Sequence, residues 1–309
     1  MSTPRKLSVW SPRGARAVER SVQRRTRAGG DANNPDRGAS SGARLGRAEL
    51  IAGGAEPCEG SDFIVVEEPL EIRIGDERLL VTMRTPGDDL DLCAGLLFTE
   101  GVIQSMGDVA ALEHPVGEGE DRDNVVRVLA APGHRLRTAG ARRVLRATAA
   151  CGLCGKESIA AVRRRVPALD DDTVVSLDVV LGLPEALRAG QDVFAATGGL
   201  HAVGLFRADG RRLAVREDVG RHNAVDKVIG HILRGGLPVS SLAGTVMMVS
   251  GRAGFEIVQK AAVARIPIVC AVSAPSSLAV DLAEEVGMTL VGFVRGSSAN
   301  VYTHAHRIR

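Results

Sequence analysis

The sequence predicts an α/β protein, and the clearest grounds lie after Gly244. Three continuously apolar stretches, residues 245–249, 267–272 and 288–294, alternate with two of helical periodicity, 255–265 and 276–286. Strands apolar on both sides and separated by helices indicate a parallel sheet covered on both faces. A second ground is the paired pattern of residues 200–207 and 212–216 around Asp209-Gly210, which reads as a hairpin. A third is a run of β-branched segments between residues 63 and 84, which predicts a smaller β-rich portion near the N-terminus.

In chain order, residues 1–60 read as a disordered extension rich in Arg, Gly and Ser. Residues 1–50 hold 11 basic and 4 acidic side chains, a balance of +7, whereas the remainder holds 28 and 33, a balance of −5. Such a composition has too little apolar surface to offset the entropy of ordering. Order is expected from Ser61, with strands at 63–66, 70–74 and 78–84. Thr85-Pro86-Gly87-Asp88 then starts a helix whose apolar face is Leu90, Leu92, Cys93, Leu96 and Leu97, and Gly101 ends it. Cys93 falls within that face and reads as a small buried hydrophobe. One more strand, 125–129, completes a portion assigned to residues 61–140. The larger domain is assigned to 141–309.

Within it, residues 156–165 have helical spacing. Residues 177–181 and 184–189 predict a helix interrupted near Gly182. After the hairpin, Glu217 to Asn223 lead into a helix with Val225, Val228, Ile229 and Ile232 on its apolar side. This polar stretch reads either as a solvated helix start or as a wall of a ligand crevice. In open α/β sheets, ligands bind beyond the carboxyl ends of the strands. Here those ends are Ser250-Gly251-Arg252, Ser273-Ala274-Pro275-Ser276-Ser277 and Arg295-Gly296-Ser297-Ser298. Small hydroxyl residues, two arginines and two helix N-termini aimed at one crevice favour an anionic ligand such as a nucleotide.

Composition removes several function classes. The 309 residues contain no apolar run of membrane-spanning length and no secretion-signal pattern near Met1. Five cysteines, an odd number, fit reduced thiols in a cytoplasm better than a disulfide framework. The mildly acidic body argues against nucleic acid as the main ligand. A soluble cytoplasmic protein, with neither membrane nor nucleic acid as partner, is the expectation.

The most reactive stretch is Cys151-Gly152-Leu153-Cys154-Gly155. Arg142, Arg143 and Arg146 precede it, Lys156 follows, and a helix is expected to start there. Positive charge and a helix N-terminus both stabilise a thiolate, the nucleophilic form of cysteine. A single C-x-x-C also fits half a zinc site or a redox pair. Structural zinc needs four ligands, and no second C-x-x-C is present. The H-x-E with P-C-x-x-C pattern of a zinc deaminase is absent, because Ala202-Val203 follow His201 and Ala150 precedes Cys151.

Further stretches complete a recognisable pattern: Glu67 to Arg73, Thr82 to Gly87, Thr197-Gly198-Gly199-Leu200-His201, Glu217-Asp218-Val219-Gly220-Arg221-His222 and Asp226-Lys227. It continues through Ser250-Gly251-Arg252, Val258-Gln259-Lys260, Ser273-Ala274-Pro275, Leu290-Val291-Gly292-Phe293 and Val301-Tyr302-Thr303-His304. From about residue 61 to 309 the chain resembles the FdhD family, the formate dehydrogenase accessory sulfurtransferases. The resemblance implies a cytidine deaminase-like layered sandwich with a smaller N-terminal portion, assembled as a homodimer. It implies a sulfurtransferase that takes persulfide sulfur from a cysteine desulfurase. The sulfur would pass to a molybdenum bis(molybdopterin guanine dinucleotide) cofactor, held as a bound substrate, before that cofactor enters formate dehydrogenase. Cys151 would carry the persulfide and Cys154 would assist. Phe293, Val294, Arg295, Gly296, Ser297 and Ser298 would contact the guanine dinucleotide, and no permanently bound metal is expected. A cofactor-binding chaperone without sulfur chemistry and a dithiol–disulfide oxidoreductase are the alternatives.

Overall fold

The computed structural model describes residues 43–50, 58–115, 122–138, 166 and 168–309. The described chain enters through a hairpin, β1 (Ala43–Leu50) and β2 (Cys58–Val65), paired antiparallel with Ala43 opposite Val65. Strand structure therefore begins before the boundary expected at Ser61, inside the stretch read as a disordered extension. The eight-residue ladder gives the backbone polar groups partners that composition alone does not reveal.

Four strands form the next sheet: β3 (Glu68–Ile74), β4 (Glu77–Arg84), β5 (Val109–Glu113) and β6 (Val125–Ala130), in the order β4-β3-β6-β5. Between β4 and β5 lies α1 (Asp89–Thr99), whose Leu92, Cys93, Leu96, Leu97 and Phe98 are all buried. A helix apolar on nearly every side must be covered on every side. The sheet residues Leu70, Ile72, Val126 and Val128 share one core with it.

The remainder builds the main sheet. It begins with α2 (Leu177–Arg188) and α3 (Asp192–Thr197), then β7 (His201–Arg207), β8 (Arg212–Asp218) and α4 (Arg221–Arg234). There follow β9 (Thr245–Val249), α5 (Phe255–Val263), β10 (Ile268–Ala271), α6 (Ser277–Val286), β11 (Thr289–Arg295) and β12 (Ser298–Val301). The order is β12-β11-β10-β9-β7-β8. Only β9, β10 and β11 run parallel; β7 is antiparallel to β9, β8 to β7, and β12 to β11. The sheet is mixed because hairpins at its two edges need no helical crossover.

Alternation along the strands sorts the two faces. Ala202, Phe206, Val246 and Met248 meet Val180, Leu183 and Leu187 of α2. Val203, Leu205, Met247 and Val249 share the opposite core with α4, α5 and α6. The expected break of α2 near Gly182 does not occur, and the helix runs on through Pro184. A proline at this position lacks one amide donor, and the burial of Val180, Leu183 and Leu187 outweighs that loss.

Where α1 crosses α4, the contact is made by backbone. A Cβ at Gly95 would lie 1.9 Å from the Asp226 carbonyl oxygen, and one at Gly230 would lie 1.9 Å from that of Asp91. Buried charge ties the same helices together. Lys260 of α5 donates to both oxygens of Asp226, at 2.9 and 2.8 Å, and to the Thr99 hydroxyl at 2.8 Å.

Candidate functional site

The carboxyl ends of the parallel strands are joined into one continuous edge. The Ser250 hydroxyl accepts from the Ala202 amide at 2.9 Å, and the Ser250 amide returns a bond of 3.0 Å to the Ala202 carbonyl. Ala253 bridges Pro275, and the Ser276 amide donates to the Ala253 carbonyl at 3.1 Å. The Phe293 amide donates to the Ser273 carbonyl at 3.2 Å. Because β7 runs opposite to β9, it is the start of β7 that joins this edge, and His201 arrives opposite Asp218 at the end of β8.

At the far end of the edge, the predicted segment 293–298 turns β11 into β12. Phe293 has φ 52°, a left-handed conformation rarely taken by a bulky residue. The pairing register between β11 and β12 shifts between Gly292 and Arg295. Close packing explains the glycine before it: a Cβ on Gly292 would come within 3.0 Å of Pro275 and Tyr302. Val294 is buried, whereas Arg295, Gly296, Ser297 and Ser298 are exposed. The Arg295 guanidinium carbon lies 5.5 Å from the Phe293 ring centroid. The six residues thus form a strained hairpin turn that presents one arginine, one ring and two hydroxyls.

At the near end, cations converge on His201. Burial holds the His201 imidazole below its ordinary value, with further contributions from Arg221, His222 and Arg252, which Asp218 opposes. A Cβ on Gly251 would approach His201 Nδ1 to 3.3 Å. His222 Nε2 sits 2.9 Å from Glu256 Oε2, at ion-pair distance without hydrogen-bond alignment, and so links the first turns of α4 and α5. Among the described residues, Arg221 and Arg252 have no acidic partner. Both α4 and α5 begin at a glycine, Gly220 and Gly254, with no side chain capping the first amides. An electropositive rim of this kind suits phosphate oxygens.

The polar stretch 217–227 divides into two groups. Asp218 is fully buried and accepts from the amides of Thr85 (3.2 Å) and Gly220 (2.8 Å), from Asn223 Nδ2 (2.9 Å) and from Lys227 Nζ (2.8 Å). Asp226 pairs with Lys260. Glu217 accepts from the amides of Val193 and Phe194 at 3.0 and 2.8 Å, and burial pushes its carboxyl above the ordinary range. These groups build the scaffold, whereas Arg221 and His222 lie near enough to His201 to act on its charge.

Beside this rim a cleft of about 510 Å3 opens between α2, α3 and the sheet. Leu187, Arg188, Phe194, His201, Ser250 and Val272 are among its lining residues. Arg188 and Phe194 were not singled out by the sequence. Nothing in the pattern places a residue at the end of one helix over a ring in the next.

The two thiols of the predicted catalytic loop, Cys151 and Cys154, lie outside the described residues. The structure bears on that assignment by what it removes. Cys93 and Cys270 are both fully buried. Burial raises both thiols, that of Cys270 to about 12 and that of Cys93 further, so neither ionises near neutrality. A thiol held protonated is a poor nucleophile. Among the described residues no helix is long and apolar enough to cross a membrane.

Known proteins resemble this chain in sequence and in fold. The model of the FdhD/NarQ family matches residues 65–309. A sulfur carrier protein FdhD from Nocardia farcinica is 55% identical over 251 residues, covering 80% of this chain and 88% of the relative. Another from Streptomyces coelicolor is 52% identical over 254 residues, covering 80% and 89%. A crystal structure from Desulfotalea psychrophila, described as a formate dehydrogenase accessory protein, superposes with a TM-score of 0.68 at 25% identity, covering 87% of this chain and all of that one. The order of motifs, the fold and these relatives together establish that the chain belongs to the FdhD/NarQ family.

Proposed function

We propose that the protein is a sulfurtransferase. It receives sulfane sulfur from a cysteine desulfurase and delivers it to the molybdenum of a bis(molybdopterin guanine dinucleotide) cofactor destined for formate dehydrogenase. The observation that carries this reading is the match to sulfur carrier proteins at more than 50% identity, in a family match that spans both thiols of the Cys151–Cys154 motif. The inertness of Cys93 and Cys270 supports the same choice of thiols.

In the first step the Cys151 thiolate attacks the outer sulfur of the donor persulfide. The donor S–S bond breaks, the donor leaves as a thiolate, and Cys151 holds the persulfide. In the second step the Cys154 thiolate attacks the inner sulfur of that persulfide. The outer sulfur leaves as sulfide, which becomes the metal ligand of the cofactor, and a Cys151–Cys154 disulfide forms. A dithiol reductant restores both thiols for the next cycle. The cofactor is substrate here. Its guanosine end rests on Phe293, Val294, Arg295, Gly296, Ser297 and Ser298, and its phosphates meet the rim of Arg221 and Arg252. Holding both reactants on one scaffold makes the transfer effectively intramolecular. The working assembly is a homodimer.

The test is mass spectrometry after incubation with a desulfurase and cysteine, coupled to activation of formate dehydrogenase. The wild type gains one sulfur on the peptide containing Cys151, and Cys151→Ala gains none and fails to activate. Full activation by Cys151→Ala would reject the assignment, and activation without any sulfur adduct would point to a cofactor chaperone.

A further inference from the structure

The cleft between α2, α3 and the sheet has no part in the sulfur chemistry above. Its volume of about 510 Å3 falls inside the roughly 300–1,000 Å3 typical of small-ligand sites. Its walls are mainly apolar, with Leu187, Leu200 and Val272 among them, and its polar groups are few. Two of these stand out. Gln191 lines the cleft while only 4% exposed. The Arg188 guanidinium lies over Phe194, its central carbon 4.3 Å from the ring centroid.

The ring satisfies the cation electrostatically but not as a hydrogen-bond donor. Arginine carries five N–H donors in a planar fork, and among the described residues none of those on Arg188 meets a carboxylate. A forked donor beside an aromatic wall suits a flat ligand with two adjacent acceptors. Arginine reads the O6 and N7 edge of guanine in this way, and an amide such as Gln191 supplies both a donor and an acceptor.

We infer that this cleft is a heterocycle-binding subsite, taking a planar fused ring that presents an adjacent oxo group and acceptor ring nitrogen, the edge shared by guanine and an oxidised pterin. Its position suits a ligand that also reaches the β11–β12 turn. The cleft touches the tips of β7, β9 and β10, and the sheet order places β7 three strands from β11. At about 4.8 Å per strand that is roughly 14 Å, which leaves room for a sugar and a diphosphate between two ring systems. His201 lines the cleft and also stands among the cations of the rim, so one side chain borders both. Which of the two heterocycles occupies the cleft rests on the sulfur-transfer reading; the preference for that edge does not.

The full-length protein is titrated with neopterin, followed by quenching of its fluorescence, and separately with GDP by calorimetry. Arg188→Ala and Phe194→Leu change side chains that line an open cleft, and circular dichroism checks that both variants fold. Neopterin affinity falling at least tenfold in both variants, with GDP affinity changed less than twofold, assigns the cleft to pterin. The reverse pattern assigns it to guanine. If the folded variants bind both ligands as the wild type does, or the wild type binds neither at millimolar concentration, the subsite is refuted. Sulfur labelling of Cys151 in the wild type runs in parallel. Its failure counts against the sulfur-transfer reading and leaves the cleft result standing.

Discussion

Asp218 and Lys227 form a buried ion pair, with Nζ 2.8 Å from Oδ2 and neither side chain more than 1% exposed. The pair sits under the turn from β8 into α4 and so fixes where Arg221 and His222 emerge. Lys227 also donates to the carbonyls of Thr85 and Glu217, at 2.9 and 3.2 Å. Lys227→Met leaves the Asp218 carboxylate buried without its cation, and breaking such a pair costs about 3–5 kcal/mol. Urea unfolding should show that loss. The double variant Asp218→Asn/Lys227→Met should recover part of it, because no buried charge then remains.

A methyl group at the α1–α4 crossing has no room. Gly230→Ala would place its Cβ 1.9 Å from the Asp91 carbonyl oxygen and 2.7 Å from the Gly95 amide nitrogen, both main-chain atoms. The helices must separate, at a cost of at least about 1–3 kcal/mol. Thermal unfolding of Gly230→Ala should show a clear drop in Tm, whereas Gly182→Ala, where nothing lies within 4 Å of the added carbon, should match or exceed the wild type. A helix-interior alanine is favoured over glycine by up to about 1 kcal/mol.

Thiol reactivity should separate the cysteines. Cys93 and Cys270 are buried and held protonated, so iodoacetamide at neutral pH should leave both unmodified in the native protein. Denaturation should release them. Alkylation of either in the folded state at a rate near that of free cysteine would contradict the structure.

His201 gives stability a measurable pH dependence. Burial and the nearby Arg221, His222 and Arg252 depress it below its ordinary value of 6.5, against the pull of Asp218. Between the depressed value and 6.5 the unfolded chain binds the proton that the folded chain refuses. Stability therefore rises with pH through this window, is complete above it, and is lost as pH falls. Glu217 acts in the opposite sense just above 4.5, where its raised folded value favours the proton. Melting temperatures of wild type and His201→Gln from about pH 5 to about pH 7.5 should converge in acid and diverge toward neutrality if this linkage holds. Parallel profiles would exclude it.

The guanosine contact proposed for the β11–β12 turn has its own test. Removing the guanidinium in Arg295→Ala should weaken GDP binding roughly tenfold, the loss of about one charge-assisted hydrogen bond. The side chain is exposed, so unfolding should be unaffected. Calorimetry that shows equal affinity would displace the guanosine from this turn.

Much of this architecture is legible in the sequence where a strand or helix repeats its own period. The apolar run 245–249 coincides with β9, and the face of Val225, Val228, Ile229 and Ile232 is buried in α4. What escapes is whatever depends on a distant partner. β12 was missed because Ser298-Ala299-Asn300-Val301 has no strand signal without β11 beside it. β1 pairs along its length with β2, and the ladder, not composition, makes it a strand. The polar stretch after β8 reads in sequence either as a solvated helix start or as a crevice wall, and burial places Asp218 and Asp226 in neither, because both face inward. Arg84 makes the same point. It is 1% exposed and holds Asp89 through two bonds of 2.9 Å, a role its neighbours in sequence do not announce.

The glycine-lined crossing of α1 and α4 also governs how the chain is made. Residue 99 leaves the ribosome more than 120 residues before the end of α4 at Arg234. At roughly 5–20 residues per second, synthesis of that interval lasts on the order of ten seconds. Through that time Leu92, Leu96, Leu97 and Phe98 have no second helix to close over them. Each nascent chain thus carries an apolar helix face without its second cover until α4 emerges, an interval set by the distance in sequence between two glycines.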